Sequence, residues 1–469
     1  MNLKKIGAFA LGPIGAAFLG LITVPVLAWT FSMEDIGRLN VLNVAVSFAL
    51  LVSVLGLDQA YVRDYYETDN KSMLLKTCFV PGFLFLLLGT VVTAPFSKDI
   101  ALFMYGEAKS EFFWITLYCV IAAFVSRFLS LILRMQERGL AYSMSQLIPK
   151  LVMLLAVCSI AFAGMSREFL NLQLAFLIST STVLVTCVWN TRSEWLSAVE
   201  SKTDSASTTS LLRFGVPLVF SGVIYWGLIA TSTLTLRIYA PLSELGLYSI
   251  TASFAAVAGV FQSIFTVIWA PTVYRWQAEN VDMARVYSVS NQVLMAMCVV
   301  CALCGMLSWI TDYLLPAEYS SVKYLLLGSL IPPLMYTLSE VTSIGIGITK
   351  RTHLTIWVTL TAFITNVVIS TLLVPLFGAA GAIISNAIAY VIFFIMRTEF
   401  SFSVWRVFPR FRMYSFVLLL LGSSLLTIFL GDYYTYGYLG VWFIVLFATL
   451  VCFKSDIRYL WHEIKPKIR

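Results

Sequence analysis

Residues 6–29 read IGAFALGPIGAAFLGLITVPVLAW, a run of apolar and small residues that contains no charge. An α-helix needs about 20 such residues to cross the hydrocarbon core of a bilayer. Roughly fourteen stretches of this kind, separated by short polar gaps, occupy the chain from end to end. The runs are continuous rather than alternating, so they predict helices and not the strands of a membrane barrel.

Composition supports the same fold class. The 469 residues are 59% hydrophobic and only 12% charged, whereas soluble proteins carry about 25% charged residues. Lys4 and Lys5 precede the first run, which is too long for the apolar core of a signal peptide and predicts a retained first helix. The sequence therefore predicts an all-α polytopic membrane protein with about 14 transmembrane helices. The predicted spans are 6–30, 38–58, 75–97, 111–134, 143–164, 169–190, 211–233, 246–270, 288–311, 324–347, 354–375, 379–397, 413–430 and 436–453.

The distribution of basic residues predicts the orientation. If the N-terminus is cytoplasmic, most of the 31 lysine and arginine residues fall in the loops of the cytoplasmic side. The positive-inside rule then predicts that the N-terminus and the C-terminus are both cytoplasmic. This pattern also accounts for the net charge of +7, because the basic residues are spread over loops and form no single patch for nucleic acid.

Two halves of the chain echo each other. Phe31-Ser-Met-Glu-Asp-Ile-Gly37 follows the first span, and Ala240-Pro-Leu-Ser-Glu-Leu-Gly246 follows the seventh. Gln59-Ala-Tyr-Val-Arg63 ends the second span, and Ala270-Pro-Thr-Val-Tyr-Arg275 ends the eighth. The alternative to a repeat is the general likeness of any two helical membrane segments.

A third echo comes after the fourth and tenth spans, where Leu133-Arg-Met-Gln-Glu-Arg138 matches Ile348-Thr-Lys-Arg351. Equivalent points are an even number of spans apart, so the halves share one orientation, as in transporters built from parallel repeats. We therefore expect two parallel six-helix lobes plus two C-terminal helices. The predicted divisions are an N-terminal lobe at 1–190, a cytoplasmic linker at 191–210, a C-terminal lobe at 211–400 and a region with two extra helices and a basic tail at 401–469.

Cations at membrane depth are the first candidates for a binding site. Arg127 and Lys150 lie within the fourth and fifth spans, while Arg63 and Arg275 lie at the ends of the second and eighth. Charges facing lipid are costly, so such groups tend to face a cavity, and arginine matches phosphate geometry. We predict that all four bind an anionic substrate. The alternatives are snorkelling to the interface for the first two and positive-inside anchoring for the others.

Acids and prolines within the spans complete the candidate set. Glu340 lies deep in the tenth span, and Asp58 closes the second; we predict that each is an ion-coupling or cavity acid. Pro13 and Pro25 in the first span correspond in place to Pro217 in the seventh. Proline interrupts the helical hydrogen-bond ladder, so these three are candidate gating positions, with static kinks as the alternative.

Enzyme chemistry has little support in the sequence. The eight cysteines lie in or beside apolar stretches, which predicts neither a disulfide framework nor a metal site, and the sequence has only two histidines. It has no glycine-rich phosphate loop and no arrangement typical of a nucleophilic triad. We therefore expect no enzyme, no metal and no cofactor.

The chain resembles the bacterial polysaccharide (O-antigen type) flippases of the multidrug/oligosaccharidyl-lipid/polysaccharide exporter superfamily. The resemblance rests on Gly12-Pro13, on Glu34-Asp35-Ile36-Gly37 and on the segment Leu55-Gly-Leu-Asp-Gln-Ala-Tyr-Val-Arg63-Asp-Tyr-Tyr-Glu67. It implies two six-helix lobes around a V-shaped cavity and two extra C-terminal helices. The lipid II branch has arginines in its first helix, and this first span has none, so the polysaccharide branch is favoured.

The resemblance further implies the substrate and the cell location. The substrate would be an oligosaccharide on undecaprenyl diphosphate, which crosses from the inner to the outer leaflet of the bacterial inner membrane by alternating access. The expected partners are this lipid-linked oligosaccharide, membrane lipids, a monovalent cation or proton and polysaccharide assembly proteins, and no nucleic acid. Two alternatives stay open: a membrane polysaccharide polymerase or ligase, and a multidrug or cation antiporter.

Overall fold

The structure, a computed structural model, describes residues 3–201, 205–279, 284–431, 433–434 and 437–458. Within these ranges every regular element is a helix, which confirms the predicted all-α class. The α-helices are α1 Leu3–Thr30, α2 Met33–Ser53, α3 Leu57–Asp64, α4 Lys71–Thr93, α5 Ser97–Tyr105, α6 Ser110–Met135, α7 Gly139–Phe162, α8 Phe169–Asn190, α9 Arg192–Glu200, α10 Ser205–Tyr239, α11 Leu242–Ala278, α12 Ala284–Leu307, α13 Thr311–Leu314, α14 Val322–Thr342, α15 Ile344–Ile348, α16 His353–Val404, α17 Phe411–Leu430 and α18 Gly437–Cys452.

Twelve of the described helices are long and apolar enough to cross a membrane. One of them, α16, contains two of the predicted spans, because Gly378 has φ 53° and ψ −127° and interrupts the helix. Asn366 Nδ2 lies 3.5 Å from Asn386 Oδ1, so the two arms run side by side as a hairpin. With the shorter apolar helix α18, the predicted spans all have a helical counterpart.

The chain forms two compact units. Unit 1 comprises Met1–Arg237 and Pro241–Gly246, so it includes the seventh span, α10. The segment predicted as a polar linker contains the short helix α9, which packs on α4. In unit 1 the helix α1 packs along α7, and Gly12 lets the two backbones approach at Ser143. Small residues are the usual means of close helix contact in a membrane.

Unit 2 comprises Ile238–Ala240 and Leu247–Arg469. Its most buried span is α14, which packs against α12, α16 and α17. The two C-terminal helices also belong to this unit, since α17 and α18 pack on each other and on α12. The Trp442 ring of α18 covers Gly305 of α12, and its indole Nε1 donates to Thr427 Oγ1 at 2.9 Å.

The internal repeat is also visible in the structure, in the turns that end two matching helices. Glu137 and Lys350 are both non-glycine residues with positive φ, 55° and 57°. In both turns the next residue closes the helix end: Arg138 N donates to Leu133 O at 2.9 Å and Arg351 N to Ile346 O at 3.1 Å. The third sequence echo is therefore the same helix-ending turn at the ends of α6 and α14–α15.

The first echo also has a structural cause. Within unit 1, Gly37 of α2 and Gly246 of α11 lie against each other, and a side chain on either would meet backbone atoms of the opposite segment. Ser32 caps α2 through a bond from Asp35 N at 3.2 Å, so the predicted loop acids already belong to the first helical turn. Glycine at these two positions allows the starts of two helices to touch.

Candidate functional site

The site begins at a break between α2 and α3. The helix α2 ends at Ser53, earlier than predicted, because Leu55 and Gly56 adopt φ values of 52° and 68°. This left-handed region suits glycine, and a side chain on Gly56 would collide with the backbone of Gly215 in α10. Asp58 therefore lies in the first turn of the separate helix α3 and not at the end of the second span.

Asp58 and Arg127 form an ion pair in unit 1. Arg127 donates to one carboxylate oxygen, Asp58 Oδ2, from Nη2 at 2.5 Å and from Nε at 3.1 Å. Gln59 Nε2 donates to the same oxygen at 3.1 Å. The Asp58 side chain is 10% exposed and the Arg127 side chain 42% exposed. The pairing fixes the guanidinium and leaves one of its edges available for a second anion.

A cavity of about 340 Å³ opens beside this pair, with walls from α2, α3, α6 and α10. Asp58 and Arg127 are its only charged lining residues among those described, and Ser47 and Gln59 add polar groups. The remaining lining residues are leucines, valines and glycines. An apolar cavity with a few converging polar groups is typical of a small-molecule or headgroup site.

Arg63 lies on the same short helix, but it does not line this cavity. Its guanidinium pairs with Asp64 and lies 4.0 Å from the centre of the Phe214 ring. The hydrogen bond to Asp64 raises the pKa of Arg63 above its usual value, so this group stays charged. Arg63 follows Asp58 by five residues, about one and a half turns further along α3.

Lys150 lies on α7 and does not line the Asp58–Arg127 cavity. Ser143 and Leu147, which precede it on one helix face, are the residues that Gly12 and Gly15 of α1 approach. The Lys150 side chain is exposed. It takes part in none of the ion pairs found among the described residues.

Arg275 belongs to unit 2, near the end of α11, and its side chain is exposed. The neighbouring Tyr274 lies with its hydroxyl against Gly347 of α15. The predicted gating prolines all lie inside continuous helices: Pro13 and Pro25 in α1 and Pro217 in α10.

Glu340 is also paired, in unit 2. Arg397 Nη1 lies 2.7 Å from Glu340 Oε1 and donates to Ser339 Oγ at 2.9 Å. The guanidinium lies 5.5 Å from the ring centres of both Tyr336 and Phe393. Both charged side chains are enclosed, at 13% exposure for Glu340 and 14% for Arg397. Glu340, which the sequence predicted to be an ion-coupling or cavity acid, is therefore part of an enclosed ion pair.

Arg397 is the residue that the sequence reasoning missed. The predicted twelfth span ended at Arg397, which would put it at the interface, whereas α16 continues to Val404. The signal was present in the sequence, because Phe400, Phe402, Val404 and Trp405 continue the aromatic and apolar run beyond Arg397.

Another cavity, of about 410 Å³, is larger but has fewer polar and charged groups in its lining. Its lining, from α4, α6, α8 and α9, is apolar except for Lys76. The Lys76 ammonium already donates to Val199 O at 2.8 Å and Ser201 O at 2.6 Å at the end of α9. A cavity with one engaged polar group cannot orient a polar ligand as the Asp58–Arg127 cavity can.

Comparisons with known proteins agree with this architecture. A family model described as polysaccharide biosynthesis protein matches residues 2–277. No match was found among the curated proteins.

Solved structures share the fold at low sequence identity. The lipid II flippase MurJ in an inward closed conformation has a TM-score of 0.68 and 14% identity, covering 96% of this chain and 99% of that chain. An inward-facing multidrug resistance MATE family transporter of the MOP superfamily has a TM-score of 0.61 and 12% identity, covering 83% and 95%. The Vibrio cholerae MATE transporter VcmN in its bent form has a TM-score of 0.51 and 14% identity, covering 85% and 97%.

Proposed function

Since the chain belongs to the polysaccharide biosynthesis protein family, we propose that it is a flippase for an undecaprenyl-diphosphate-linked oligosaccharide. The cargo would be an O-antigen or capsule-type repeat unit, moved from the inner to the outer leaflet of the bacterial inner membrane by alternating access. The N-terminus and C-terminus would both be cytoplasmic, as the basic loops favour. Membrane lipids and polysaccharide assembly proteins would be its other partners.

The Asp58–Arg127 cavity is the observation that carries this proposal. It offers an oriented, partly exposed guanidinium among apolar walls, and guanidinium groups bind phosphate oxygens in a bidentate manner. The guanidinium would hold the diphosphate, and the apolar walls would contact the lipid to which the diphosphate is joined. Arg63, Lys150 and Arg275 would be further cations that the headgroup meets during transfer, and bending at Pro13, Pro25 and Pro217 would open the path.

Glu340 would couple transport to a cation gradient only by exchanging its present partner. Its carboxylate is held by Arg397 at 2.7 Å, so an incoming cation must displace that guanidinium. Asp58 is held in the same way by Arg127. In both units, therefore, access of an ion depends on breaking an ion pair.

Leaflet inversion in proteoliposomes tests the proposal. The purified chain should invert a lipid-diphosphate glycan, and Arg127→Gln should slow inversion by about 10- to 100-fold, because hydrogen bonds to charged groups contribute about 1.5–3 kcal/mol. Arg134→Gln is the matched control, since Arg134 is an exposed arginine in the last turn of the same helix. Equal inversion by the wild type and both variants would exclude Arg127 from the site.

The same preparation separates the alternatives. The fold shared with MATE transporters favours a drug or cation antiporter as the second candidate. Proton-sensitive dye efflux without inversion of the glycan lipid would support that antiporter. Polymer formation without inversion would support a polymerase or ligase instead.

A further inference from the structure

The apolar cavity of about 410 Å³ in unit 1 is a cleft between two spans, which we call the α9 cleft. Its sides are α4 and α8, which both pack on α6 but have no extensive contact with each other. The floor is Val125 and Leu129 of α6, and α9, which begins directly after α8, adds the end wall. The lining residues of α4 all lie within the first three turns of that span: Leu75, Lys76, Phe79 and Val80. The α9 cleft therefore lies at the membrane boundary, on the side where the linker runs.

The helix α9 presents an apolar face to this cleft. Trp195, Ala198 and Val199 line it, at the i, i+3 and i+4 spacing that places side chains on one face of a helix. Two hydrogen bonds hold the face in place: Trp195 Nε1 donates to Val188 O of α8 at 3.1 Å, and Lys76 Nζ of α4 donates to Val199 O at 2.8 Å. A short helix with one apolar face, placed at the end of the spans, is suited to lie in the lipid interface.

Lys76 supplies the one charge in the lining among the described residues. Its ammonium group has three N–H donors, and two of them are used by Val199 O and by Ser201 O at 2.6 Å. Lys76 takes part in none of the ion pairs found in the described part of the chain. The cleft thus has a positioned cation with a spare donor, which complements an anionic headgroup.

The lining also indicates what kind of molecule enters the cleft. Water would find too few polar partners there, so an apolar chain is the better occupant. Val125 and Leu129 lie on the face of α6 opposite Arg127, so α6 separates this cleft from the cavity proposed for the cargo headgroup. A lipid of the surrounding bilayer, in contrast, reaches the cleft through the gap between α4 and α8.

We propose that the α9 cleft binds one acyl chain of an anionic phospholipid, whose phosphate accepts a hydrogen bond from Lys76. Basic residues between spans are a known means of binding anionic headgroups. The chain lies against the apolar face of α9, and the headgroup adds to the contacts that hold α9 on α4. This inference goes beyond the proposed function and does not depend on it.

Quenching of Trp195 fluorescence by brominated acyl chains tests the site in vesicles. The protein is reconstituted in phosphatidylcholine with a minor fraction of phosphatidylglycerol, and in separate samples one lipid or the other carries the bromine. The signal of Trp195 is the difference between the wild type and Trp195→Phe. We expect phosphatidylglycerol to reach Trp195 with roughly fivefold higher relative affinity than phosphatidylcholine, the effect of one basic residue on an anionic lipid.

Variants of the basic residues test the role of the headgroup. Lys76→Gln should remove the preference for phosphatidylglycerol, and Lys76→Arg, which keeps the charge, should retain it. Arg192→Gln is the matched control, because Arg192 is an exposed cation on α9 that does not line the cleft; it should keep the wild-type preference. An unchanged preference in Lys76→Gln, or an equal loss in Lys76→Gln and Arg192→Gln, would overturn the inference.

A variant that fills the cleft tests the role of the chain. Ala198→Phe adds a ring from the α9 side and should reduce the quenching of Trp195 by both lipids, and it serves if Lys76→Gln disturbs α9. Undiminished quenching in Ala198→Phe would overturn the inference. Stronger displacement of the brominated lipid by undecaprenyl phosphate than by phosphatidylglycerol would also overturn it, because the cleft would then favour a cargo-type chain. In all these cases the proposed function would stand, since glycan-lipid inversion and Arg127→Gln test it separately.

Discussion

One member of each unit's ion pair, Arg127 in unit 1 and Glu340 in unit 2, occupies a matching place in the repeat, but the two pairs are built differently. Arg138 lies 11 residues after Arg127, and Arg351 lies 11 residues after Glu340. Arg138 and Arg351 each directly follow the residue with positive φ in the matching turn. Unit 1 thus has a cation at the position where unit 2 has an acid. The partner of Arg127 comes from the short helix α3, whereas the partner of Glu340 comes from the long helix α16.

The difference in exposure shows what each pair is suited to do. The Arg127 side chain is 42% exposed beside a cavity, while both members of the Glu340–Arg397 pair are below 15%. Tyr336 and Phe393 further cover Arg397. We conclude that the guanidinium of the pair in unit 1 is accessible from its cavity, and that the pair in unit 2 mainly joins α14 to α16.

Removing Arg397 should have the largest effect on stability. Arg397→Met leaves Glu340 enclosed without a counter-charge, which typically costs about 3–5 kcal/mol. The equivalent change in unit 1, Arg127→Met, also leaves an enclosed carboxylate, since the Asp58 side chain is 10% exposed, but that carboxylate borders a cavity and keeps the hydrogen bond from Gln59. We therefore expect a smaller cost, about 1–3 kcal/mol. Denaturant unfolding in mixed micelles, followed by tryptophan fluorescence, measures both free energies of unfolding.

The double variant Glu340→Met/Arg397→Met is the control for the pair in unit 2. It removes both charges and should recover most of the lost stability, because apolar replacements of a buried pair are often neutral. If Arg127→Met proved as destabilising as Arg397→Met, the contrast between an open and a closed pair would be wrong.

A methyl group at Gly215 should have an intermediate effect. Its Cβ would lie 2.5 Å from Leu55 O and 2.9 Å from the Gly56 carbonyl carbon, and backbone atoms cannot move aside easily. Gly215→Ala should therefore cost about 1–3 kcal/mol, as overpacking does. It should also slow glycan-lipid inversion, because the Gly56 break positions Asp58. The same unfolding and inversion assays measure the two effects.

Gly422→Ala is the control for that substitution, since nothing lies within 4 Å of the added Cβ in α17. Alanine is favoured over glycine within a helix by about 0.5–1 kcal/mol, so this variant should be as stable as the wild type or more so. Destabilisation by Gly422→Ala equal to that by Gly215→Ala would show that the close approach at Gly56 has no special importance.

The smallest effect should come from the matching turns. Lys350 has φ 57°, a conformation that costs non-glycine residues about 1–2 kcal/mol and glycine almost nothing. Lys350→Gly should raise the free energy of unfolding by about 0.5–1 kcal/mol. Glu137→Gly, at φ 55°, should change it in the same direction if the two turns are true structural equivalents. Thr349→Gly, in a helical conformation, should lower stability instead.

The sequence predicts the membrane architecture well, because each span is decided by local composition. Residues 6–29 are sufficient to identify α1, and the hydropathy of α17 identifies the thirteenth span without any tertiary information. The family resemblance is confirmed by the matching family model. The echo at Gly37 and Gly246 was also visible in the sequence, although the contact between the two glycines was not.

The sites were less predictable because they depend on backbone reversals and distant partners. The break at Leu55 and Gly56 lies inside an apolar run, and hydropathy does not report the sign of φ. Arg127 and its partner Asp58 are far apart in the chain, so their pairing required the packing of α3 on α6. The role of every predicted site residue stays a prediction for the experiments above.

The turn at Gly378 determines how two helices enter the membrane. The chain reverses there on a single residue, and a side chain on the nearby Gly381 would strike the Leu373 backbone. No extended loop connects the two arms of α16. During synthesis, therefore, neither arm can take up its position in the membrane independently of the other. We expect the translocon to release them laterally as one preassembled unit, and epitope insertions at this bend to abolish membrane integration.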